Sequence, residues 1–242
     1  MRAIILAAGA GTRLRPMTDG VPKCLVSLGR RRLLDYQLAA LRAVGVADIV
    51  LVVGYEAAQV RAYCGASVRY VDNPDYLTTN SIYSLFLARH ELDCATFLFN
   101  CDILFDPAIL QRLRGGGVPN AVAVDSAAPR LAGEMNVAVD ATGCITAISK
   151  QVKPEQAAAV SMQLAMFDAV GARAVAGEVE RLVAADQRQA FPTSAYGPLL
   201  TARSLYAVDG AGLAWGEVDS LSDYAHAVAQ VVPRLDAAGP TP

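Results

Sequence analysis

The chain has 242 residues, 54% of them apolar and 18% charged, enough to fill the core of one large α/β domain, while a formal net charge of −2 leaves no broad basic surface for a nucleic-acid backbone. Five cysteines, Cys24, Cys64, Cys94, Cys101 and Cys144, are odd in number and scattered without a C-x-x-C pair, which argues against a disulfide framework or a zinc site and for reduced core thiols. No apolar run reaches membrane-spanning length and a strand occupies the N-terminus where a secretory signal would stand, so the expectation is a soluble cytoplasmic protein with no membrane partner.

Ala3 to Leu6 is expected as a buried strand, and Ala8 to Gly11 as a small-residue turn whose backbone N–H groups can approach an anion. Arg13, Arg15 and, after Pro22, Lys23 add fixed positive charge where that turn would hold a polyphosphate. Two familiar alternatives fail on residues their chemistry needs. A dinucleotide loop wants a third glycine where Leu14 stands, and a P-loop wants Gly-Lys-Ser/Thr at its end. The run Leu6-Ala7-Ala8-Gly9-Ala10-Gly11-Thr12-Arg13-Leu14-Arg15-Pro16, followed by Pro22-Lys23, resembles the signature L-A-A-G-x-G-T/S-R-L/M-x-P and P-K of the nucleotidyltransferases that activate sugar phosphates and alcohol phosphates. The resemblance implies a single α/β domain over about residues 1–235. Its fold would be a Rossmann-like, doubly wound mixed sheet of the nucleotide-diphospho-sugar transferase (GT-A-like) type. It also implies nucleotide binding by Leu6, Ala7, Ala8, Gly9, Gly11, Thr12, Arg13 and Lys23, with Arg13 and Lys23 catalytic.

Further along, Leu33 to Leu41 carries apolar residues at helical spacing until Gly45, and the preceding Arg30-Arg31-Arg32 reads as a solvated helix start. Asp48 to Val53 is a second buried strand, Ala57 to Tyr63 a short helix and Val68 to Val71 a third strand, the alternation of a parallel sheet covered on both faces. Within Asn73 to Leu85, the polar cluster Thr78 to Ser81 caps a helix. Asn80 and Ser84, one helical turn apart, would also point together from a strand-end loop, where ligands bind in such sheets. The stretch is similar to N-x-x-Y-x-x-T-N-x-x-Y/W-S-L of the cytidylyltransferases acting on phosphocholine, 2-aminoethylphosphonate and related phospho-alcohols, which implies acceptor contacts at Asn80 and Ser84.

Ala95 to Phe105 reads as a strand containing Asp102 among large apolar residues. Because Asp106-Pro107 can cap the next helix, Asp102 is free to meet a cation. The family places a magnesium-binding aspartate here, and Mg²⁺ is the cofactor that the resemblance implies. Gly115-Gly116-Gly117 is a turn with no basic residue after it, and Ala121 to Asp125, Met135 to Val139 and Cys144 to Ser149 are strands, the last two a hairpin through Asp140 to Gly143. This antiparallel insertion, about residues 130–167, resembles the family's acceptor-binding part. Glu134-Met135-Asn136-Val137 departs from the family's E-M-K-V at Asn136, and Ile148-Ser149-Lys150 matches I-S-K, giving Lys150 either to an acceptor's phosphate or to solvent.

Val160 to Phe167 is a strand that departs from the family's G-E-x-x-G-I/M at Val160 and Gln163. Gly171 to Ala185 and Pro192 to Ala202 are helices. Trp215-Gly216-Glu217-Val218-Asp219-Ser220 matches W-x-E-I/V-D-S/T. Glu217 and Asp219 share one face of an extended segment, so both can approach the metal of Asp102; Asp219 can instead cap the helix Leu221 to Val231. Trp215 and Tyr196 are candidates to face an acceptor's amine or to pack in the core, His90 and His226 lack any partner pattern, and the tail 236–242 reads as disordered.

Together these residues imply transfer of CMP from CTP to the phosphate or phosphonate of a small acceptor, with release of pyrophosphate. The acceptor oxygen is anionic at neutral pH, so no general base is required. An NDP-sugar pyrophosphorylase would use the same machinery on a hexose-1-phosphate. A non-catalytic regulatory subunit should have lost some of Arg13, Lys23, Asp102 and Asp219, and all four are present. A homodimer is compatible with the sequence but not required by it.

Overall fold

A computed structural model describes residues 1–237. The apolar run at the N-terminus forms β1 (Arg2–Ala7), and a hairpin of β2 (Ser27–Leu28) and β3 (Arg31–Arg32) leads into α1 (Leu33–Ala43). β4 (Asp48–Val53), α2 (Ala57–Cys64) and β5 (Arg69–Asp72) complete the first half. α3 (Ser81–Leu87) and β6 (Thr96–Asn100) follow, and a turn at Cys101 and Asp102 separates β6 from β7 (Ile103–Phe105). The single strand expected over 95–105 is therefore two, and Asp102 lies in the break between them. Asp106 caps α4 (Pro107–Gly115), its carboxylate accepting from the Ala108 N–H at 2.8 Å, as Asp-Pro chemistry demands.

Next come β8 (Asn120–Asp125), β9 (Asn136–Val139), β10 (Ile145–Ser149) and β11 (Ala159–Phe167). α5 (Ala169–Ala184) and α6 (Gly197–Thr201) lead to β12 (Leu205–Asp209), which the sequence reading did not anticipate, and to β13 (Trp215–Glu217). The helix expected over 221–231 is α7 (Leu221–His226), a π-helical turn (Ala227–Val231) and α8 (Val232–Ala237). Asp236 and Ala237 end α8 rather than belonging to a tail, and 238–242 lie outside the described residues.

Nine strands form one mixed sheet with the path β10-β9-β11-β6-β1-β4-β5, β8 pairing with β11 and β12. The four strands β6, β1, β4 and β5 are parallel, and β11 runs antiparallel to β6. The β9–β10 hairpin of the expected antiparallel insertion extends the main sheet through β11. β1 sits between β4 and β6, and the chain turns to opposite sides of it, a topological switch point where a crevice opens at the strands' carboxyl ends.

Alternation along β1 divides the core. Ala3, Ile5 and Ala7 pack with α1 and α4 on one face, and Ile4 and Leu6 with α3 and α5 on the other. A third cluster joins Leu14 to Leu28, Leu104, Val218, Val231 and Leu235, so the N-terminal loop is anchored against the C-terminal helices. Among the described residues no helix is long and apolar enough to cross a membrane, and all five cysteines are free thiols.

Candidate active site

A cleft of about 430 Å³ opens at the carboxyl ends of β1, β5 and β6. Its floor is the glycine turn, held from several sides. Gly11 adopts φ +61°, and a Cβ there would come within 3.1 Å of the Lys23 Cβ and the Thr18 methyl. The Gly11 carbonyl accepts from the Thr18 hydroxyl at 2.9 Å, and the Ala8 carbonyl from the Tyr55 N–H at 3.0 Å. Gly54 makes that second approach possible, since a Cβ on it would sit 2.8 Å from the Ala8 carbonyl oxygen.

Four charged side chains meet over this turn. Lys23, in a short 3₁₀ turn behind Pro22, is buried and donates to Asp102 Oδ2 at 3.0 Å and to Asp219 Oδ1. Arg13, largely exposed, donates to Asp219 Oδ2 at 2.6 Å. Asp219 is brought beside Asp102 by the backbone, because the Val218 N–H donates to the Asp102 carbonyl at 2.8 Å. The helix cap that competed for Asp219 in the sequence is supplied by Ser220, whose Oγ accepts from the Asp223 N–H, with Asp223 reciprocating.

The electrostatics follow from burial and charge. Burial alone would lower the ammonium of Lys23, but Asp102 and Asp219 outweigh it and raise it, so it stays protonated. Burial pushes the Asp102 carboxyl above its ordinary range against the pull of Lys23. Asp219 is also penalised by burial, yet Lys23 and Arg13 hold it below that range. Asp102 Oδ1 is buried without a hydrogen-bond partner, an expensive arrangement for a carboxylate unless something else contacts it.

Glu217 lines the same cleft but does not join the other acids. Its Oε1 accepts from Gln163 Nε2, and Gln163 Oε1 accepts from Asn100 Nδ2 at 3.1 Å. Burial, reinforced by Asp102 and Asp219, pushes the Glu217 carboxyl up to about 7. Among the described residues no three His, Cys, Asp or Glu side chains converge as a metal-holding group, and the Glu217 carboxylate is engaged by Gln163.

Of the remaining anticipated residues, Leu6, Ala8, Gly9, Gly11 and Thr12 line the cleft beside Arg13 and Lys23, as do Asn80, Ser84 and Lys150. The Asn80 side chain caps α3 by accepting from the Ser81 N–H, Ser84 is buried and accepts from Asn73, and the Lys150 ammonium lies 5.1 Å from the ring centre of Phe191. Three expectations are corrected. Ala7 points into the core beneath α1, since alternation on β1 turns it away from the cleft. Tyr196 is buried, with its ring edge-on to Phe167 at 5.2 Å. Trp215 packs against the core and donates its indole N–H to Asp125 at 2.8 Å, and neither aromatic lines this cleft. Gln163, expected among the positions that read the acceptor, lines the cleft, as do Tyr76, Asn100 and Phe191, to which the sequence assigns no site role. Asn100, two residues before Asp102, carried the one local signal, a polar residue ending a buried strand.

A family model for the MobA-like NTP transferase domain matches residues 3–195. The chain is 41% identical over 151 residues to the CMP-5'-(3-aminopropyl)phosphonate synthase of Streptomyces rubellomurinus, covering 60% of this chain and 24% of that one. It is 46% identical over 95 residues to the choline-phosphate cytidylyltransferase of Streptococcus pneumoniae, covering 38% and 41%. The chain thus spans less than half the length of either relative. A solved structure of a CTP:phosphocholine cytidylyltransferase from Streptococcus pneumoniae superposes with a TM-score of 0.78 over 94% of this chain and 97% of that one, at 23% identity, which establishes the shared fold.

Proposed function

The chain belongs to the MobA-like NTP transferase family, and from that membership we propose that it transfers CMP from CTP to the phosphate or phosphonate of a small acceptor of the phosphocholine or aminoalkylphosphonate kind. The observation that carries this reading is Lys23 bridging Asp102 and Asp219 directly over the glycine turn. The choice of cytidine nucleotide and acceptor rests on the relatives' names, one a CMP-phosphonate synthase and one a choline-phosphate cytidylyltransferase.

Magnesium fits this site. Asp102 and Asp219 offer hard carboxylate oxygens side by side, and the orphaned Asp102 Oδ1 is a buried acceptor on a residue that lines the cleft. A bound Mg²⁺ would lower the barrier by offsetting charge on the phosphoryl oxygens. The remaining work falls to the chain. The N–H groups of the glycine turn receive the triphosphate, and Arg13, its guanidinium exposed at the rim, reaches the outer phosphates. Lys23 stays charged and aims at the centre of the site. An anionic acceptor oxygen attacks the α-phosphorus in line; the new P–O bond forms as the bond to the β-phosphate bridging oxygen breaks, and pyrophosphate leaves. No side chain must remove a proton, so positioning and charge stabilisation supply the rate.

The test is pyrophosphate release with each of the four common NTPs against phosphocholine, 2-aminoethylphosphonate, an inositol phosphate and a hexose-1-phosphate. Preference for CTP with one of the phospho- or phosphono-alcohols is expected. Turnover with a hexose-1-phosphate alone would overturn the proposal.

A further inference from the structure

Gln163 stands at a defect in β11. The ladder to β8 slips between Ser161 and Ala165, and Gln163 takes φ +55°, a left-handed conformation that glycine adopts at less cost than any residue with a side chain. The bulge is fixed by the buried Ser161, whose hydroxyl accepts from the Gln163 N–H at 2.9 Å. Its effect is to aim the carboxamide into the cleft, where it ties Asn100 on β6 to Glu217 on β13. Behind that carboxamide lies a second, small cavity of about 20 Å³ walled mainly by apolar groups such as Leu98, Val122, Met135 and Tyr196. Leu6, Asn100, Gln163 and Phe191 line both spaces and form the partition between them.

We infer that Gln163 is a specificity-determining residue, its carboxamide closing the acceptor end of the cleft against the apolar cavity and so limiting the length of acceptor tail the enzyme takes. The inference rests on the proposed CMP transfer. The phosphate-binding turn follows β1, whereas Lys150 after β10, Gln163 on β11 and Phe191 after α5 line the cleft from other elements, so the end Gln163 closes is the one left for the acceptor's tail. With the carboxamide gone, the two cavities join and added methylenes can leave water for the apolar lining. One methylene in such a pocket changes selectivity by roughly tenfold or more.

The experiment compares wild type with Q163G and Q163A, using CTP and ω-aminoalkylphosphonates of two, three and four methylenes. Glycine is at home at positive φ, so Q163G should fold with an unfolding temperature close to that of wild type; Q163A removes the same carboxamide while keeping a Cβ. The ratio of kcat/KM for the longest acceptor over the shortest should rise roughly tenfold or more in both variants, chiefly through a lower KM for the longer substrate. An unchanged ratio in both overturns the inference while leaving the proposed function standing. If wild type releases no pyrophosphate with CTP and any of the three, nor with phosphocholine, the proposed function falls. The partition is then read by calorimetric titration of the same phosphonates, where tighter binding of the longest one to Q163G than to wild type supports it and equal binding overturns it.

Discussion

Asp102 has one carboxylate oxygen on Lys23 and the other on no partner at all. A buried acceptor left in that state is costly, and its persistence marks the residue as held for something other than stability. Replacing it by asparagine keeps the shape and removes the charge. D102N is expected to lower kcat roughly 10²-fold or more while its circular dichroism and unfolding cooperativity stay those of wild type. Unchanged turnover would remove Asp102 from the active centre. K23M should cost about 10²–10³ in kcat. It should also lower stability by about 3–5 kcal/mol, because two buried carboxylates lose the cation between them. A K23M protein as stable as wild type in urea would contradict the ion pairing. The four residues of this cluster were legible because each sits in a short motif whose chemistry is local. Tyr196 and Trp215 stayed open between acceptor and core for the opposite reason: whether an aromatic ring faces core or cleft depends on packing partners such as Phe167 and Asp125, distant in sequence. Gln163 was legible as an acceptor-reading position that departs from the family pattern, but its bulge was not, because a left-handed residue inside a strand leaves no trace in hydrophobic periodicity.

Arg13 is held by the element that carries it as well as by its own contact with Asp219. The next residue, Leu14, is fully buried among side chains of the C-terminal helices, which are the same helices that begin just after Asp219. L14A should therefore lose about 2–5 kcal/mol through cavity formation. It should also reduce kcat beyond any loss of folded fraction, measured at a temperature where both proteins are fully folded; an unaffected kcat would show that the loop is positioned without this anchor. At the opposite end of the sheet, β1, β4 and β5 are tied by Arg2 and Arg69 to Asp48. Burial opposes ionisation of Asp48 more than any one neighbour favours it, but the hydrogen bonds and charges of Arg69 and Arg2 together hold the carboxyl below its usual 3.8. A depressed carboxylate contributes stability above its unfolded value and loses it as pH falls through the folded one. The urea midpoint of D48N should thus lie below that of wild type at pH 7, with the gap closing as pH is taken below 3.8; a gap independent of pH would contradict the assignment. Most elements were readable because strands such as Asp48–Val53 and helices such as Ala169–Ala184 carry clear periodicity. β12 was not, since Leu205–Asp209 buries only its first residue fully and relies on β8 for its place in the sheet.

Across the whole molecule, chain direction decides where chemistry can occur. The switch around β1 opens one crevice, and the mixed half of the sheet built on β11 supplies its second wall. The N-terminal turn contributes the cations and two distant strand ends the acids, so the centre is complete only when residues more than a hundred positions apart are folded together. That closure was implied by the family pattern, but the Asn100–Gln163–Glu217 bridge, which diverts Glu217 from the other two acids, follows only from the packed sheet. The proposed function turns on Asp102 and Asp219 forming the cation site of the nucleotide-bound enzyme, with Lys23 beside both. A crystal structure with CTP and Mg²⁺ tests this most directly. The account predicts an ion in contact with both carboxylates and with the α-phosphate, the Lys23 ammonium having moved onto phosphate oxygens. CTP bound with both carboxylates still on Lys23 and no ion between them would contradict it.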